Sequence, residues 1–338
     1  MPLEGGAAAL RENVRIALIH NPTSRRNRHD GNEFYQAGRE RLGNLCISVH
    51  HEGKLLDHVR QLHEAGVELI VLNGGDGTVS AALSAIEQVY PLDRLPAIAV
   101  LPSGNTNLIA SDVGFGLRGP EALDRLFSER PFRSSMRAPI RLTWPGAPER
   151  RPVLGMFGGC TGYARAVRIA HSPTVLKFAP HNLAVVLTLV SSIASLVLRR
   201  SRQKWLQGNP LRWQQKGAEV AEKTLQGNGQ SFIFLVTALE KLSNGIWPFW
   251  ESGTNRHGFH FLNVSAFPKR LSGALLHLLR GRVPDWLRNH PDYVSDLVNK
   301  GMMLETDSEF VLDGEVFPAA ADGRLMLERG PLFRFLQA

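Results

Sequence analysis

The sequence predicts two architectures in succession: an α/β domain built on a doubly wound parallel sheet, then a domain of antiparallel strands forming a β-sandwich. Three observations lead there. Apolar, β-branched runs alternate with helical patterns between Val14 and Phe127, and strand–helix–strand alternation builds parallel sheets. Two of those strands end in glycine-bearing polar turns, at Gly74-Gly75-Asp76-Gly77-Thr78 and at Pro102-Ser103-Gly104-Asn105-Thr106-Asn107. Past Arg130 the pattern changes to short strands, with Pro145, Pro148 and Pro152 punctuating the change, which marks a domain boundary. The expected division is 13–138 and 139–325, with the tail 326–338 packing back on the first domain.

Taken in order, Val14–Ile19 is the first strand, and His20-Asn21-Pro22-Thr23-Ser24 is its exit, where proline and short polar side chains stop it. Arg25, Arg26 and Arg28 follow, as a solvated basic loop or as an attraction for phosphate or lipid headgroups. Glu33–Leu42 reads as helix, Cys46–Val49 as a short strand and Leu55–Ala65 as helix. Leu69–Leu72 suits a buried parallel strand. Thr78 then opens a helical pattern through Ala81, Ala82, Leu83 and Ile86. Leu95–Leu101 is the next strand, Asn107–Asp112 the helix after its exit, and Glu121–Phe127 a further helix. In the second domain Val153–Phe157, Phe232–Ala238, Phe259–Ala266 and Met302–Glu305 read as strands.

A strand that ends in glycines and turns into a helix makes an anion site. The glycines let backbone approach a phosphate, and the helix start supplies unpaired N–H groups and a positive dipole end. In parallel sheets ligands sit at the carboxyl ends of the strands, where the Asn21 and Gly74 turns both fall. Asp76 is the odd member, because a carboxylate repels phosphate. It is tolerable where a cation lies between the two, or where it handles a proton during transfer.

Composition bounds the partners. A formal charge of +8 and pI near 9.9 favour polyanions: nucleotides, nucleic acid or an anionic membrane face. Nucleic acid is set aside, because no basic cluster is interleaved with base-stacking aromatics on a known module. Cys46 and Cys160 are the two cysteines, which suits a reducing compartment. Met1–Glu12 has no apolar core of signal-peptide length, so a cytoplasmic location is expected. His50, His51, His58 and His63 lack the spacing and companion ligands of a zinc site. Asn182–Leu198 is uncharged and apolar and is followed by Arg199, Arg200, Arg202 and Lys204. It is short for a bilayer span and reads as a packed helix, a lipid-facing wall, or both. Lys269–Arg282 is a second such segment, with Leu271, Leu275, Leu278 and Leu279 on one face and basic ends.

Gly74-Gly75-Asp76-Gly77-Thr78 resembles the nucleotide-binding signature of the diacylglycerol kinase catalytic-domain family, which includes bacterial lipid kinases and sphingosine and ceramide kinases; NAD kinases share a related signature. Asn21 to Ser24 matches the family's Asn-Pro-x-Ser element, Pro102 to Asn107 its Pro-x-Gly-Thr-x-Asn-Asp element, and Asp313-Gly314-Glu315 its Asp-Gly-Glu near the C-terminus. The matches fall in order between about residues 14 and 325. This sequence departs from the pattern at Asn105, for a threonine, and at Leu108 and His257, for aspartates. His50–Gly53 offers no threonine at the second strand end, and Gly158–Ala164 stands where the family carries a buried aspartate.

The resemblance implies an NAD kinase-like first domain, a β-rich lipid-substrate domain, and an ATP-dependent lipid kinase acting on diacylglycerol, ceramide, a sphingoid base or a related lipid. Asn21, Pro22, Ser24, Gly74, Gly75, Asp76, Gly77, Thr78, Val79, Ser80, Ser103, Gly104, Asn105 and Asn107 would line the nucleotide pocket. A catalytic Mg2+ would bridge phosphate oxygens to Asp76, while Glu315, brought from the second domain, would accept the hydroxyl proton; the two carboxylates could exchange roles. The expected partners are a membrane lipid substrate and, peripherally, an anionic membrane surface, with a homodimer possible. Two other readings stand beside this one: an NAD kinase-like enzyme with a soluble substrate, and a non-catalytic membrane-associated nucleotide or lipid binder.

Overall fold

The computed structural model describes residues 14–30, 32–49, 54–104, 106–128, 130–170, 203, 205–216, 225–242, 247–250 and 258–338. The chain divides into two compact units. One runs up to Pro139 and takes in Pro331–Ala338; the other is Ile140–Gly330.

The first unit is a six-stranded sheet. Its strands are β1 (Ile16–His20), β2 (Cys46–Ser48), β3 (Leu69–Gly74), β4 (Ala97–Pro102), β5 (Arg133–Arg137) and β17 (Phe333–Gln337), in the order β2-β1-β3-β4-β17-β5. The pairs from β2 through β17 are parallel, and β17 with β5 is antiparallel. All residues of β1 and β3 are buried, because helices on both faces leave no side of the pleat to water. One face puts Ile16, Leu18, Leu69, Val71, Ala97 and Leu101 against Phe115, Phe132 and Leu336. Burying each large side chain of this kind contributes about 1.5–3 kcal/mol.

Its helices are α1 (Arg25–Asp30), α2 (Glu33–Leu42), α3 (Leu55–Glu64), α4 (Asp76–Val89), α5 (Leu108–Val113) and α6 (Gly119–Leu126). The basic run after β1, read from sequence as a loop, is therefore a helix. Tertiary bonds impose it: the Arg26 N–H donates to the Ser103 carbonyl at 3.1 Å, and the Asn27 amide donates to the carbonyls of Asn21 and Asn73. The strand expected from Leu95 starts at Ala97, since Pro96 has no N–H to give the ladder.

In the second unit the strands are β6 (Ile140–Thr143), β7 (Val153–Gly155), β8 (Phe157–Thr161), β9 (Asn209–Gln215), β10 (Gln226–Thr237), β11 (Phe259–Ser265), β12 (Tyr293–Val298), β13 (Gly301–Thr306), β14 (Phe310–Leu312), β15 (Glu315–Phe317) and β16 (Arg324–Arg329). They form one continuously bonded sheet of 11 strands, antiparallel at every pairing, as the sequence predicts for the second domain. The long β10 makes this possible. Its first half, from Gln226 to Ser231, pairs with β9, and its second half, from Ile233 to Thr237, pairs with β8. Among the described residues, helices α7 (Gly162–Ala170), α8 (Leu271–Leu279) and α9 (Asp285–Arg288) accompany the sheet. Among the described residues no helix is long and apolar enough to cross a membrane. The apolar run 182–198 and the arginines after it lie outside the described residues.

Candidate functional site

The strand order reverses between β1 and β3. Doubly wound sheets bind ligands at such a switch point, beyond the carboxyl ends of the strands. Polar side chains knit those ends together here. The Asn21 N–H donates to the Asn73 carbonyl at 3.0 Å, and the Asn21 amide donates to Thr78 Oγ1 at 2.8 Å. Asn21 Oδ1 accepts from the Thr23 N–H and hydroxyl. Asn73, buried, accepts from the Ser103 hydroxyl and donates to His20 Nδ1 at 3.0 Å. Pro22 and Ser24 lie half-buried on the same turn. Sequence reading missed His20, Asn27 and Asn73. The signal available for Asn73 was a lone polar residue ending the apolar run Leu69–Leu72.

The two glycine turns lie back to back. A Cβ added to Gly104 would stand 2.5 Å from the Gly75 Cα, and one added to Gly75 would stand 3.1 Å from the Gly104 Cα. Glycine at 104 is thus a packing requirement, and 75 is a tight place for any side chain. Asn107 locks the second turn from a left-handed conformation (φ 50°), accepting from the Gly104 N–H at 2.8 Å and donating to its carbonyl at 3.1 Å. Gly74 leaves room for Thr78, whose Cβ would lie 2.6 Å from a methyl at 74. Gly75 precedes the first turn of α4, whose N–H groups have no partner within the helix. Gly77 and Thr78 sit half-buried in that turn. Val79 and Ser80 are buried, at 1% and 4% exposure, and face the interior. Asn105 lies outside the described residues.

Asp76 has a role that neither sequence alternative foresaw. Its Oδ2 accepts from the Thr106 hydroxyl at 2.8 Å and from the Leu108 N–H at 3.0 Å; its Oδ1 accepts from the Ile109 N–H at 3.1 Å. It therefore caps the start of α5 and ties the first glycine turn to the second. Burial pushes its carboxyl above the usual carboxylate range, and the Thr106, Ile109 and Leu108 donors pull against that shift. Three of about four acceptor positions on the carboxylate are engaged. Among the described residues no group of three His, Cys, Asp or Glu side chains could hold a metal. This donor set fits a helix cap and does not fit a resident magnesium site. His257 lies outside the described residues.

In the second unit Asp313 and Gly314 form the two-residue turn between β14 and β15, where Leu312 pairs with Glu315. Both have positive φ, 48° and 88°, as a type I′ hairpin demands. The Asp313 carboxylate accepts from the Met156 and Phe157 N–H groups at 2.8 and 2.9 Å. Glu315, the next residue, is exposed at the start of β15.

Residues 15–136 match the model of the diacylglycerol kinase catalytic domain. The first unit belongs to the diacylglycerol kinase catalytic-domain family. The probable lipid kinase YegS of Escherichia coli O1:K1 / APEC is 35% identical over 74 residues, which is 22% of this chain and 23% of that protein. YegS of Escherichia coli O157:H7 (strain EC4115 / EHEC) matches to the same extent. The chain thus covers under a quarter of these curated relatives. Two solved structures from Bacillus anthracis str. Sterne, the second described as a diacylglycerol kinase, superpose with TM-scores of 0.60 and 0.55 at 15% and 14% identity. Each covers 96% of this chain and 97% of its own, which extends the likeness of fold over both units. Within the diacylglycerol kinase domain the back-to-back glycine turns, the Asn21–Thr78 bond and the Asp76 cap all fall inside the matched residues.

Proposed function

We propose that the protein is an ATP-dependent lipid kinase, which moves the γ-phosphoryl group of ATP to a hydroxyl of a membrane lipid such as diacylglycerol, ceramide or a sphingoid base. The observation that carries the reading is the pair of glycine turns at the carboxyl ends of β3 and β4, beside the β1/β3 switch point and within residues that match the diacylglycerol kinase domain. ATP phosphates take hydrogen bonds from the first-turn N–H groups of α4, from Gly75 to Thr78, with Asn21, Ser103 and Gly104 framing the turns. Asp76 keeps those turns in register through α5 and acts as a positioning residue. Magnesium would come bound to the nucleotide and would screen its phosphate charge.

Glu315 is the general base. Its carboxylate takes the proton of the lipid hydroxyl as that oxygen bonds to the γ-phosphorus and the bond to the β–γ bridging oxygen breaks. ADP and a lipid phosphate monoester leave, and Glu315 returns its proton to water. Of the two carboxylates weighed from sequence, Asp76 is occupied by Thr106, Leu108 and Ile109, whereas Glu315 stands exposed.

The test is incubation of the protein with labelled ATP and a total lipid extract in mixed micelles, with products identified by mass spectrometry and NAD as a parallel acceptor. A phosphorylated lipid is the expected product. Label in NAD alone, or ATP binding with no transfer to any lipid, would remove the reading.

A further inference from the structure

The corner from Phe267 to Pro284 has an unusual construction. Phe267 and Arg270 both hold left-handed backbone, at φ 48° and 56°, an uncommon state for bulky residues. The surrounding structure holds it there. The Phe267 N–H donates to the Leu206 carbonyl at 3.0 Å, the Lys269 N–H donates to Asp292 Oδ2 at 2.8 Å, and the Tyr293 hydroxyl donates to the Lys269 carbonyl at 2.8 Å. This fixed corner presents Phe267 to solvent, 56% exposed. Helix α8 follows. Ala274 is buried against the apolar cluster of Phe249, Leu262, Leu287 and Tyr293. Leu276, two positions on and so on the opposite face, is 48% exposed.

Basic charge outweighs acidic around these two apolar residues, with Asp292 and Asp285 the neighbouring carboxylates. Lys269, Arg270, Arg280 and Arg282 are exposed at the two ends of the helix, and no Asp or Glu occurs between Phe267 and Pro284. Among the described residues none of the four forms an ion pair. Arg270 lies over the Trp286 ring at 5.7 Å, which leaves its charge unneutralised. Exposed apolar side chains held on a fixed backbone between unpaired cations complement one partner in particular. Hydrocarbon accepts the Phe and Leu, while anionic headgroups meet the cations.

We infer that Phe267 and Leu276, with Lys269, Arg270, Arg280 and Arg282 at the two ends of the helix, form a docking surface for an anionic lipid bilayer. Phe267 and Leu276 enter the headgroup–acyl boundary, and the four cations stay at headgroup level. The occupant is the bilayer itself; a protein partner would need acidic side chains facing the cations and is the competing outcome. The inference is independent of phosphoryl transfer, because the surface would bind vesicles with no nucleotide present.

The experiment is co-sedimentation of the full chain, without ATP, with vesicles of phosphatidylcholine alone or mixed with phosphatidylglycerol. Binding to the mixed vesicles, weakened by salt, is expected. Phe267→Asn suits the left-handed backbone while removing the ring, and together with Leu276→Gln it should lower the partition constant about tenfold. Arg280→Gln with Arg282→Gln should lower it about fivefold per arginine. Unchanged thermal melting of the variants separates lost docking from lost folding. A second readout is positional. Cys46 and Cys160 are buried, and burial, against the opposing pull of Arg39, raises the Cys46 thiol to about 11. A Leu276→Cys protein therefore labels selectively with an environment-sensitive dye, whose emission should shift blue on mixed vesicles. Three results would overturn the inference: wild-type-like binding by the variants, equal binding to neutral vesicles, or a loss of self-association or protein binding in the variants with vesicle binding untouched. A failed lipid phosphorylation assay would leave it standing.

Discussion

The Gly75-Asp76-Gly77 turn and the Asp313-Gly314-Glu315 turn look alike in sequence, each an acid beside glycine at the end of a strand, yet they spend their carboxylates differently. In the first unit Asp76 faces forward to residues about thirty positions on, accepting from Thr106, Leu108 and Ile109. In the second Asp313 faces back across the sheet to the N–H groups of Met156 and Phe157. Both aspartates are fastenings. The groups they leave free differ: helix N–H donors in the first turn, an exposed carboxylate in the second. An acid inside a signature is therefore not by that fact the acid of the reaction. Its hydrogen-bond partners decide.

Substitutions can break or sharpen that contrast. The largest effect belongs to Glu315→Gln, which should lower lipid phosphorylation by about 10²–10⁴-fold while ATP binding, measured by calorimetry, stays as in the parent. Near-normal turnover would take the base away from Glu315. Asp76→Ala leaves three donors without their acceptor and should cost the first unit about 2–3 kcal/mol in denaturant unfolding, with weaker ATP binding alongside. Asp313→Ala orphans two strand N–H groups at a positive-φ position and should cost about 1–2 kcal/mol, with ATP binding unchanged. If both aspartate variants lost nucleotide equally, the two turns would not be the separate devices described here.

The smallest effect, read near pH 5.5, is acid sensitivity in the second unit. His260 pairs beside Asp296 on β11 and β12, its Nδ1 buried without a partner, edge-on to Trp247 at 5.2 Å. Burial pulls it down to about 4 from 6.5, with Asp296 pulling the other way. Between those values the unfolded chain binds the extra proton, so stability falls as pH drops through the window. At pH 5.5 the loss is about 1 kcal/mol. His260→Phe should flatten the melting temperature between pH 6.5 and 4, and an unaltered slope would place the titrating group elsewhere.

Much of the first unit was legible because its strands are short apolar runs closed by polar turns, and α2 and β3 begin where the pattern puts them. The site was less so. The partners of Asp76 lie in a different turn, and no spacing rule joins them. Arg25–Asp30 carries no helical periodicity and is helical through bonds to Asn21, Asn73 and Ser103. In the second unit β10 extends back to Gln226 through Gln-Gly-Asn-Gly-Gln, ahead of the Phe232 start that the sequence suggests. Pairing with β9 supplies what those side chains do not. The strands β9 and β16 were missed too: the alternation of β9 rests on Leu211 and Trp213 alone, and β16 is a three-residue apolar run between Arg324 and Glu328.

The strand β17 is made after every other strand of the first unit's sheet, yet it lies between β4 and β5, with Phe333 and Phe335 fully buried. A nascent chain emerging from the ribosome therefore carries an open seam in its earliest-made layer through the synthesis of all the residues between. Removing the segment from 331 onward would leave the seam unclosed.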